Sequence, residues 1–248
     1  MEEAEARLPE TQDWVRRVMD RLAALDVARP AEVLEIGAAQ GRGLVALSRL
    51  GFRAAGVEPW TPAIEVARRL SERHGVRIDL REGRCEALPF ESERFGAVLA
   101  FSVLEHVTDI HVSLREICRV LKPGGVLWFS SASAMSPLQQ EIRFFPLFGW
   151  YPDRLKKSIM RWAAKGWPAA VNHTEAPALW WWTPRRARRW LRDAGFDEVW
   201  DRWQLRGMQA GAGRGGTLAR AVVALPGACT LGDILVPGCS FAARKAPA

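Results

Sequence analysis

A loop near the amino terminus carries the clearest chemical signal in the sequence. In VLEIGAAQGRG (33–43), a short apolar run ends at Gly37 and a helical pattern follows. Such a loop lets a ligand approach the backbone at the carboxyl end of a parallel strand. The dinucleotide fingerprint G-x-G-x-x-G would require glycine at positions that hold Ala39 and Arg42. We therefore expect a different ligand, bound through the pattern E-x-G-x-x-x-G.

A carboxylate ends the next predicted strand. GVEPW (56–60) places Glu58 21 residues beyond Gly37. A carboxylate at this edge can accept hydrogen bonds from both hydroxyls of a ribose. Taken alone, Glu58 would be a strand-end surface acid, but beside the glycine loop it predicts a ribose contact.

Two histidines are candidates for general-base chemistry. His106, in FSVLEHVTD (101–109), follows a predicted strand, and His173, in NHTEAPALWWWT (172–183), precedes a predicted helix. A positioned base that takes a proton from a hydroxyl contributes about 10²–10⁴-fold to the rate. Structural roles compete with this one, since His106 can position its turn and His173 can belong to a plain loop.

Four motifs follow one another in order. They are E-x-G-x-x-x-G at 35–41, GVEPW at 56–60, REGRCEALPFESERFGAVLAFSVLEHV at 81–107 and LREICRVLKPGGVLWFS at 114–130. Together they resemble the Rossmann-like (class I) methyltransferases that depend on S-adenosylmethionine (SAM), of the quinone-type branch that acts on small molecules. The resemblance covers about residues 30–132 and extends more weakly to LRDAGF and the closing ARK. Ala39 replaces the middle glycine that the family usually carries.

The resemblance implies SAM as the cofactor and S-adenosylhomocysteine as the product. The cofactor contacts that it implies are Glu35, Gly37, Ala38, Gly41, Glu58, Pro59, Trp60, Arg84, Cys85, Glu86, Phe101 and Ser102. Arg84 stands where the family often has an aspartate that accepts from the adenine amino group. Backbone groups around Cys85 and Glu86 are expected to hold adenine instead, between apolar walls formed by Trp60 and Leu88.

Methyl transfer from a sulfonium is an in-line displacement in which positioning supplies much of the rate. His106, just past the fourth predicted strand, is the first candidate for a catalytic base, although the L-E-H-V turn occurs in the family with many substrates and its histidine can be structural. His173, in a loose match to the family pattern H-x-x-x-F/W-T-P, is the second. Some quinone-type relatives carry a further acid before the L-E-H-V turn and use that cluster for a metal. Because Ser102 holds that place here, no metal site is expected.

Strand and helix patterns alternate through the first half of the chain. Strands are predicted at 31–37, 53–58, 76–83, 95–104 and 126–133, and helices at 43–51, 62–75 and 109–125. Strands separated by helices predict a parallel sheet with right-handed crossovers. With further strands at 197–207 and 240–246, we expect an α/β, Rossmann-like three-layer sandwich. Its mostly parallel seven-stranded sheet has an antiparallel last strand, and a helical insertion lies on the substrate side.

The chain is expected to form one methyltransferase domain over residues 1–248. Its predicted parts are an N-terminal helical cap (1–30), the SAM-binding core (31–133), a helical insertion that serves as a substrate lid (134–183), and the last helix with the C-terminal strands (184–248).

The second half of the chain is basic and rich in tryptophan. Residues 131–248 hold 17 Lys and Arg against 8 Asp and Glu, and nine of the twelve tryptophans. Within it, PDRLKKSIMRWAAKG (152–166) is typical of a basic amphipathic helix with Leu155, Ile159 and Trp162 on one side. That side is expected to pack on the core, and contact with anionic lipid is the alternative.

The stretch LWWWTPRRARRW (179–190) joins an extended segment to a helix that begins at Thr183 and Pro184. Arginines are expected on the solvent side of that helix. In the extended segment, alternate side chains point to opposite sides. Trp181 and Trp182 are therefore predicted to bind the substrate, as walls of a pocket for an apolar or aromatic acceptor.

These observations favour SAM-dependent methylation of a small-molecule hydroxyl in the cytoplasm. The opening MEEAEARLPE lacks a hydrophobic signal region, no apolar stretch is long enough to span a membrane, and the four cysteines form no C-x-x-C pair. One alternative is a lipid-linked or isoprenoid acceptor at a membrane surface. Another is a nucleic-acid methyltransferase or binding protein, although no nucleic-acid-binding module is recognisable and no such partner is expected.

Overall fold

A seven-stranded sheet organises the computed structural model, which describes residues 1–209, 224, 225 and 227–247. The strands are β1 (Glu32–Ile36), β2 (Arg53–Glu58), β3 (Ile78–Glu82), β4 (Phe95–Phe101), β5 (Leu121–Ser131), β6 (Phe196–Asp201) and β7 (Cys239–Lys245). Their order is β3-β2-β1-β4-β5-β7-β6. β7 runs antiparallel to β5 and β6, and the other neighbours pair in parallel. The predicted fold class is therefore confirmed.

Helices cover both faces of this sheet. They are α1 (Glu2–Ala6), α2 (Leu8–Ala23), α3 (Arg42–Arg49), α4 (Thr61–Arg73), α5 (Ile110–Val120), α6 (Asp153–Gly166), α7 (Pro184–Asp193), α8 (Arg202–Gln209) and α9 (Ala228–Leu235). Val33 belongs to the apolar cluster shared with α2 and α3, whereas the next residue, Leu34, belongs to the cluster shared with α5 and α7. This two-residue alternation is what a sheet buried on both faces requires.

The strand order reverses between β1 and β4. Ligands of such sheets bind in the crevice outside the carboxyl ends of the strands at this point. Gly37 follows β1 there, and Ser102 follows β4. The fold therefore brings the glycine loop and the start of the L-E-H-V turn to one crevice.

The helix predicted at 152–166 is confirmed as α6, but of its predicted buried side only Ile159 packs against an apolar cluster. Leu155 and Trp162 are 48% and 57% exposed. The buried side instead carries Met160 and Lys156. The Lys156 Nζ lies 3.1 Å from an Asp153 carboxylate oxygen and donates to the Gly149 carbonyl, so its charge is satisfied while its aliphatic stem packs inward.

The strand predicted at 197–207 stops at Asp201, where α8 begins. The Asp201 Oδ1 accepts the backbone N–H groups of Trp203 and Gln204, both at 3.0 Å. This capping interaction favours a helix start over a continued strand. The glycine-rich segment GAGRGG (211–216) lies outside the described residues.

The helix predicted at 109–125 stops at Val120, because Pro123 disfavours a helix and holds the residue before it extended. β5 therefore begins earlier than the predicted 126.

The predicted start of α7 is confirmed, since the Thr183 hydroxyl oxygen accepts the backbone N–H of Arg186 at 3.1 Å. Its arginines are not all solvated as expected. Arg186 pairs with Asp153 at 2.8 Å, and Arg188 pairs with Asp201 at 3.2 Å. Within the described ranges, no helix is long and apolar enough to cross a membrane.

Candidate active site

Two glycines shape the loop after β1. Gly37 and Gly41 have φ angles of +70° and +74°. A Cβ atom at Gly37 would lie 2.5 Å from Val103 Cγ2, and one at Gly41 would lie 2.6 Å from Ala67 Cβ. Both positions therefore need glycine, for the turn and for the close packing. Ala39 also has a positive φ, +45°, in the region that suits the family's usual glycine better.

Glu58 is held by the same loop. Its carboxylate accepts the N–H of Ala39 at 2.9 Å and the N–H of Trp60 at 3.0 Å. The group is buried, yet each oxygen keeps capacity to accept a second hydrogen bond. This fixed carboxylate at the end of β2 fits the predicted contact with a ribose.

Glu35 is a buried carboxyl beside a cavity. Its Oε2 lacks a hydrogen-bond partner in the described part of the chain, and burial raises the pKa of Glu35 to about 8. It lines the cavity with Gly37, Ala38 and Phe101, and α2 contributes Trp14. A ligand with positive charge, such as the ammonium and sulfonium groups of SAM, would favour the ionised carboxylate. The residues present therefore fit SAM.

The side predicted to hold adenine is a second cavity of about 130 Å³. It is lined by predicted cofactor residues: Gly37, Pro59, Arg84, Cys85 and Glu86. Burial raises the pKa of the Cys85 thiol to about 12, so this thiol stays protonated. Trp60 is 61% exposed, and neither it nor Leu88 lines this cavity. The apolar wall comes instead from Ile36, Val57 and Val103.

A third cavity, of about 300 Å³, lies at the carboxyl ends of β4 and β5, between the lid and α8. Ser102 lines it, whereas the preceding residue, Phe101, lines the cavity of Glu35. Glu141 of this third cavity lies 3.7 Å from His106, which lines the second one, so these two cavities come close together, and we call the third one the acceptor cavity. Gly41 and Glu58 line none of the three cavities, so the ribose contact of Glu58 stays a prediction.

His106 lies between the second cavity and the lid. Its Nδ1 is 2.6 Å from the Ala176 carbonyl oxygen, which can only accept, so Nδ1 carries the proton. The other nitrogen, Nε2, is buried, lies 3.7 Å from a Glu141 carboxylate oxygen and makes no hydrogen bond within the described ranges. Burial, followed by repulsion from His173, lowers the pKa of His106 to about 4. His106 is therefore neutral near pH 7, with a lone pair on Nε2.

The neighbouring Glu105 ties the lid to the sheet. Its carboxylate accepts the Ser131 hydroxyl at 2.6 Å, and its backbone carbonyl accepts the N–H of Leu179 at 2.7 Å. Burial raises the pKa of Glu105 to about 7. The L-E-H-V turn thus has a structural role, because Glu105 and His106 anchor both ends of the segment 176–179.

His173 comes close to His106, with ring centroids 4.8 Å apart. Together with Glu141, the two histidines offer ligand atoms that lie within 4.8 Å of one another and could hold a metal ion. The sequence predicted no metal site because Ser102 replaces an acid, which concerns a different set of ligands. The absence of a catalytic metal stays a prediction, and it must be tested at His106, Glu141 and His173.

The three tryptophans before α7 alternate in direction as predicted. Trp180 and Trp182 pack with Trp190 in the core shared with α5 and α7, and Trp181 packs with Phe148 in the lid. Trp181 and Trp182 are 1% and 0% exposed, and neither lines the acceptor cavity. This burial gives no support to their predicted role as pocket walls, which stays a prediction.

Several residues at the site were not predicted from the sequence. Glu10, Thr11 and Trp14 of α2 line the cavity of Glu35, and Glu141 of the lid faces His106. The amphipathic pattern of α2 would have signalled a packed helix but not which part of it reaches the cofactor. No motif surrounds Glu141, so only the folded lid reveals it.

A glycine loop and adjoining cavities at the switch point define a Rossmann-like enzyme that brings a cofactor to a second molecule. Residues 34–129 match the family model described as a methyltransferase domain. A ubiquinone biosynthesis O-methyltransferase of Methylocella silvestris is 45% identical over 103 residues, which cover 40% of each chain. One of Bradyrhizobium sp. (strain ORS 278) is 33% identical over 169 residues, or 62% of this chain and 66% of that protein.

The matches with such curated relatives span between 40% and 66% of the relatives' length. Among solved structures, geranyl diphosphate C-methyltransferase from Streptomyces coelicolor, in complex with Mg²⁺, geranyl diphosphate and S-adenosylhomocysteine, has a TM-score of 0.59 at 18% identity. It covers 94% of this chain and 78% of that chain. That likeness concerns the fold. Residues 34–129 therefore carry a methyltransferase domain, and the chain is similar to the Rossmann-like, SAM-dependent methyltransferases, whose cofactor is SAM.

Proposed function

We propose that this protein transfers the methyl group of SAM to a hydroxyl oxygen of a small molecule. The observation that carries the proposal is the position of the neutral His106, which lines the second cavity while its Nε2 lies 3.7 Å from a carboxylate oxygen of Glu141, a residue that lines the acceptor cavity. A hydroxyl nucleophile needs such a base, whereas an amine needs only to be presented in its neutral form. The names of the curated relatives also support O-methylation.

In this proposal, His106 Nε2 takes the proton of the acceptor hydroxyl. The Ala176 carbonyl holds Nδ1–H, and the carboxylate of Glu141 stabilises the imidazolium that forms. Bound SAM would supply an electrophilic methyl carbon. Transfer of this methyl group to the acceptor oxygen would leave S-adenosylhomocysteine, whose sulfur carries no charge. The lid segment anchored by Glu105 closes this side of the site against water.

The experiment combines SAM binding with methyl transfer from labelled SAM to a panel of hydroxyl acceptors. His106→Gln is expected to lower kcat about 10²–10⁴-fold while the Kd of SAM stays within about twofold. His74→Gln, a change on α4's C-cap, is the matched control and should retain activity. Full activity of the His106 variant would contradict the proposed base, and acceptors methylated only at nitrogen would contradict O-methylation.

A second candidate function is favoured by the surface of the lid. Phe144, Leu147, Trp150 and Trp162 are all more than half exposed. Basic residues of α6 accompany them, and exposed aromatics beside Lys and Arg are typical of proteins that lie on anionic membranes. In this candidate, the same chemistry acts on a lipid-linked or isoprenoid acceptor at a membrane surface.

Flotation with liposomes tests this candidate. Vesicles with about one third phosphatidylglycerol should carry the protein upward, pure phosphatidylcholine less so, and Trp150→Ala combined with Trp162→Ala should weaken the association. Equal recovery of both proteins in the bottom fraction would reject it. The nucleic-acid alternative gains no such support, because Arg186 and Arg188 of the arginine run are engaged within the protein.

A further inference from the structure

Two segments of the lid, 141–143 and 170–172, pair with each other in antiparallel fashion. The backbone N–H of Asn172 donates to the Glu141 carbonyl at 3.2 Å, and the Asn172 side-chain amide donates to the carbonyl of the residue before Glu141. His173 directly follows Asn172. The pairing therefore brings the Glu141 carboxylate and the His173 imidazole together beside the L-E-H-V turn.

His106 of that turn adds a second imidazole to the pair. Its Nδ1–H donates to the Ala176 carbonyl at 2.6 Å, so the lone pair lies on Nε2, which is buried and has no hydrogen-bond partner among the described residues. Nε2 is 3.7 Å from a Glu141 carboxylate oxygen, and ligand atoms of all three side chains lie within 4.8 Å of one another. A histidine that donates one ring N–H to a carbonyl is oriented as metal-binding histidines are.

Two imidazoles and one carboxylate select the kind of ion that can bind. Zinc takes histidine nitrogens and carboxylate oxygens at about 2.0–2.2 Å in a tetrahedral arrangement, and three protein ligands leave its fourth position open. Mg²⁺ prefers oxygen ligands and keeps its waters, so this set does not suit it. Tetrahedral geometry puts ligand atoms about 3.3 Å apart, and His173 is exposed, so its ring can move inward by the remaining distance.

We infer that His106, Glu141 and His173 bind Zn²⁺ and that this ion inhibits the enzyme. The inhibition rests on the O-methylation proposed above, because zinc bonds to the same Nε2 lone pair that takes the proton of the acceptor hydroxyl. Two of the three ligands lie outside the methyltransferase domain of residues 34–129, so the ion also fastens the lid to that domain. Such an ion blocks the reaction and is consistent with a methyl transfer that needs no metal.

Titrations with ZnCl₂ and MgCl₂ test the site without any measurement of activity. In competition with a chromophoric chelator, the wild-type protein should bind Zn²⁺ at least about 100-fold more tightly than Mg²⁺, and Zn²⁺ should raise its Tm. Glu141→Gln and His173→Ala should each weaken zinc binding about tenfold or more, whereas His74→Gln, away from the site, should not.

A wild-type protein without preference for zinc would overturn the inference, and so would unchanged zinc affinity in either lid variant. The second outcome would mean that zinc binds elsewhere, for example at a cysteine. His173 is exposed, so its replacement should leave the fold intact, and the Tm of each variant without zinc checks this. The comparison of the two ions in the wild-type protein needs no variant.

Methyl transfer from labelled SAM tests the inhibition. Zinc that saturates the site should lower the wild-type rate at least about tenfold, EDTA should restore it, and His173→Ala should need about tenfold more zinc for the same fractional loss. Zinc that binds the wild-type protein without changing its rate would overturn the inhibition. A wild-type protein that methylates no hydroxyl would instead contradict the proposed function, while the zinc titration still tests the site, so the two failures are distinguishable.

Discussion

At the scale of single residues, Glu35 couples the cofactor to protons. Its carboxyl is buried and its pKa is raised to about 8, so it is mostly protonated near pH 7 before ligand binds. A cationic ligand lowers this pKa and expels the proton. The motif E-x-G therefore supplies a titratable group as well as a tight turn.

We predict that SAM binding releases a proton through Glu35 between about pH 5 and 8, the window between the ordinary and the raised pKa. At low pH, the proton on the Glu35 carboxyl opposes binding of the cationic SAM. The affinity for SAM should therefore rise as the pH increases from about 5 to about 8. Calorimetry in two buffers of different ionisation enthalpy measures the release. Glu35→Gln should reduce it and flatten the pH dependence, whereas Glu10→Gln should not. If the wild-type protein and Glu35→Gln released the same number of protons on binding SAM, this role of Glu35 would be contradicted.

Ala39 offers a test of backbone strain in the same loop. Its φ of +45° costs a non-glycine residue about 1–2 kcal/mol, part of which glycine's greater unfolded-state entropy offsets. Ala39→Gly should therefore raise the free energy of unfolding by a few tenths to about 1 kcal/mol. Ala38→Gly, at a neighbour without positive φ, should lower it. Urea denaturation compares the two, and destabilisation by both changes would argue against strain at Ala39.

At the scale of elements, Trp181 packs in the interior of the lid. It is buried against Phe148, and its Nε1 donates to the Gln139 side-chain oxygen at 3.0 Å. Trp181→Ala should cost about 3–5 kcal/mol in the free energy of unfolding. Trp162→Ala, at an exposed indole of the same lid, should cost less than about 1 kcal/mol. If denaturation showed equal costs, the assignment of the lid's buried side would be wrong.

The sequence predicts helices and strands well where a single hydrophobic pattern runs through them. It predicts them poorly where the hydrogen bonds or ion pairs of one polar side chain determine where an element ends or which side it buries. β1 and the glycine loop follow from an apolar run and obligatory glycines. The end of β6 could not be predicted in this way. The Asp201 carboxylate caps the first turn of a helix although the alternating pattern typical of a strand continues. The orientation of α6 could not be predicted either, because Lys156 is buried and paired with Asp153 while Trp162 is exposed.

At the scale of the whole molecule, the site forms from segments far apart in sequence. Motif spacing predicts the cofactor half, since its residues all follow strand ends that meet at the switch point. The acceptor half depends on how α2, the lid and α8 close over the sheet, which no local pattern encodes. The place of Glu141 beside His106 therefore emerges only from the fold.

A possible metal site also depends on the whole fold, because its potential ligands His106, Glu141 and His173 come from three separate segments. We predict that methyl transfer persists after dialysis against EDTA and that added Mg²⁺, Mn²⁺ or Zn²⁺ raises kcat less than twofold. Loss of activity on chelation, with recovery on adding one ion, would contradict the expectation drawn from Ser102. In that case, His173→Ala should abolish the recovery.

The central claim is that the crevice between β1 and β4 binds SAM with Glu58 on the ribose. Calorimetric titration of SAM and S-adenosylhomocysteine into the wild-type protein, Glu58→Ala and the exposed control Glu65→Ala tests it most directly. Both ligands should bind the wild-type and control proteins, and the Glu58 variant should bind at least about tenfold more weakly, because charge-assisted hydrogen bonds are lost. No binding to the wild-type protein, or unchanged affinity in Glu58→Ala, would contradict the account.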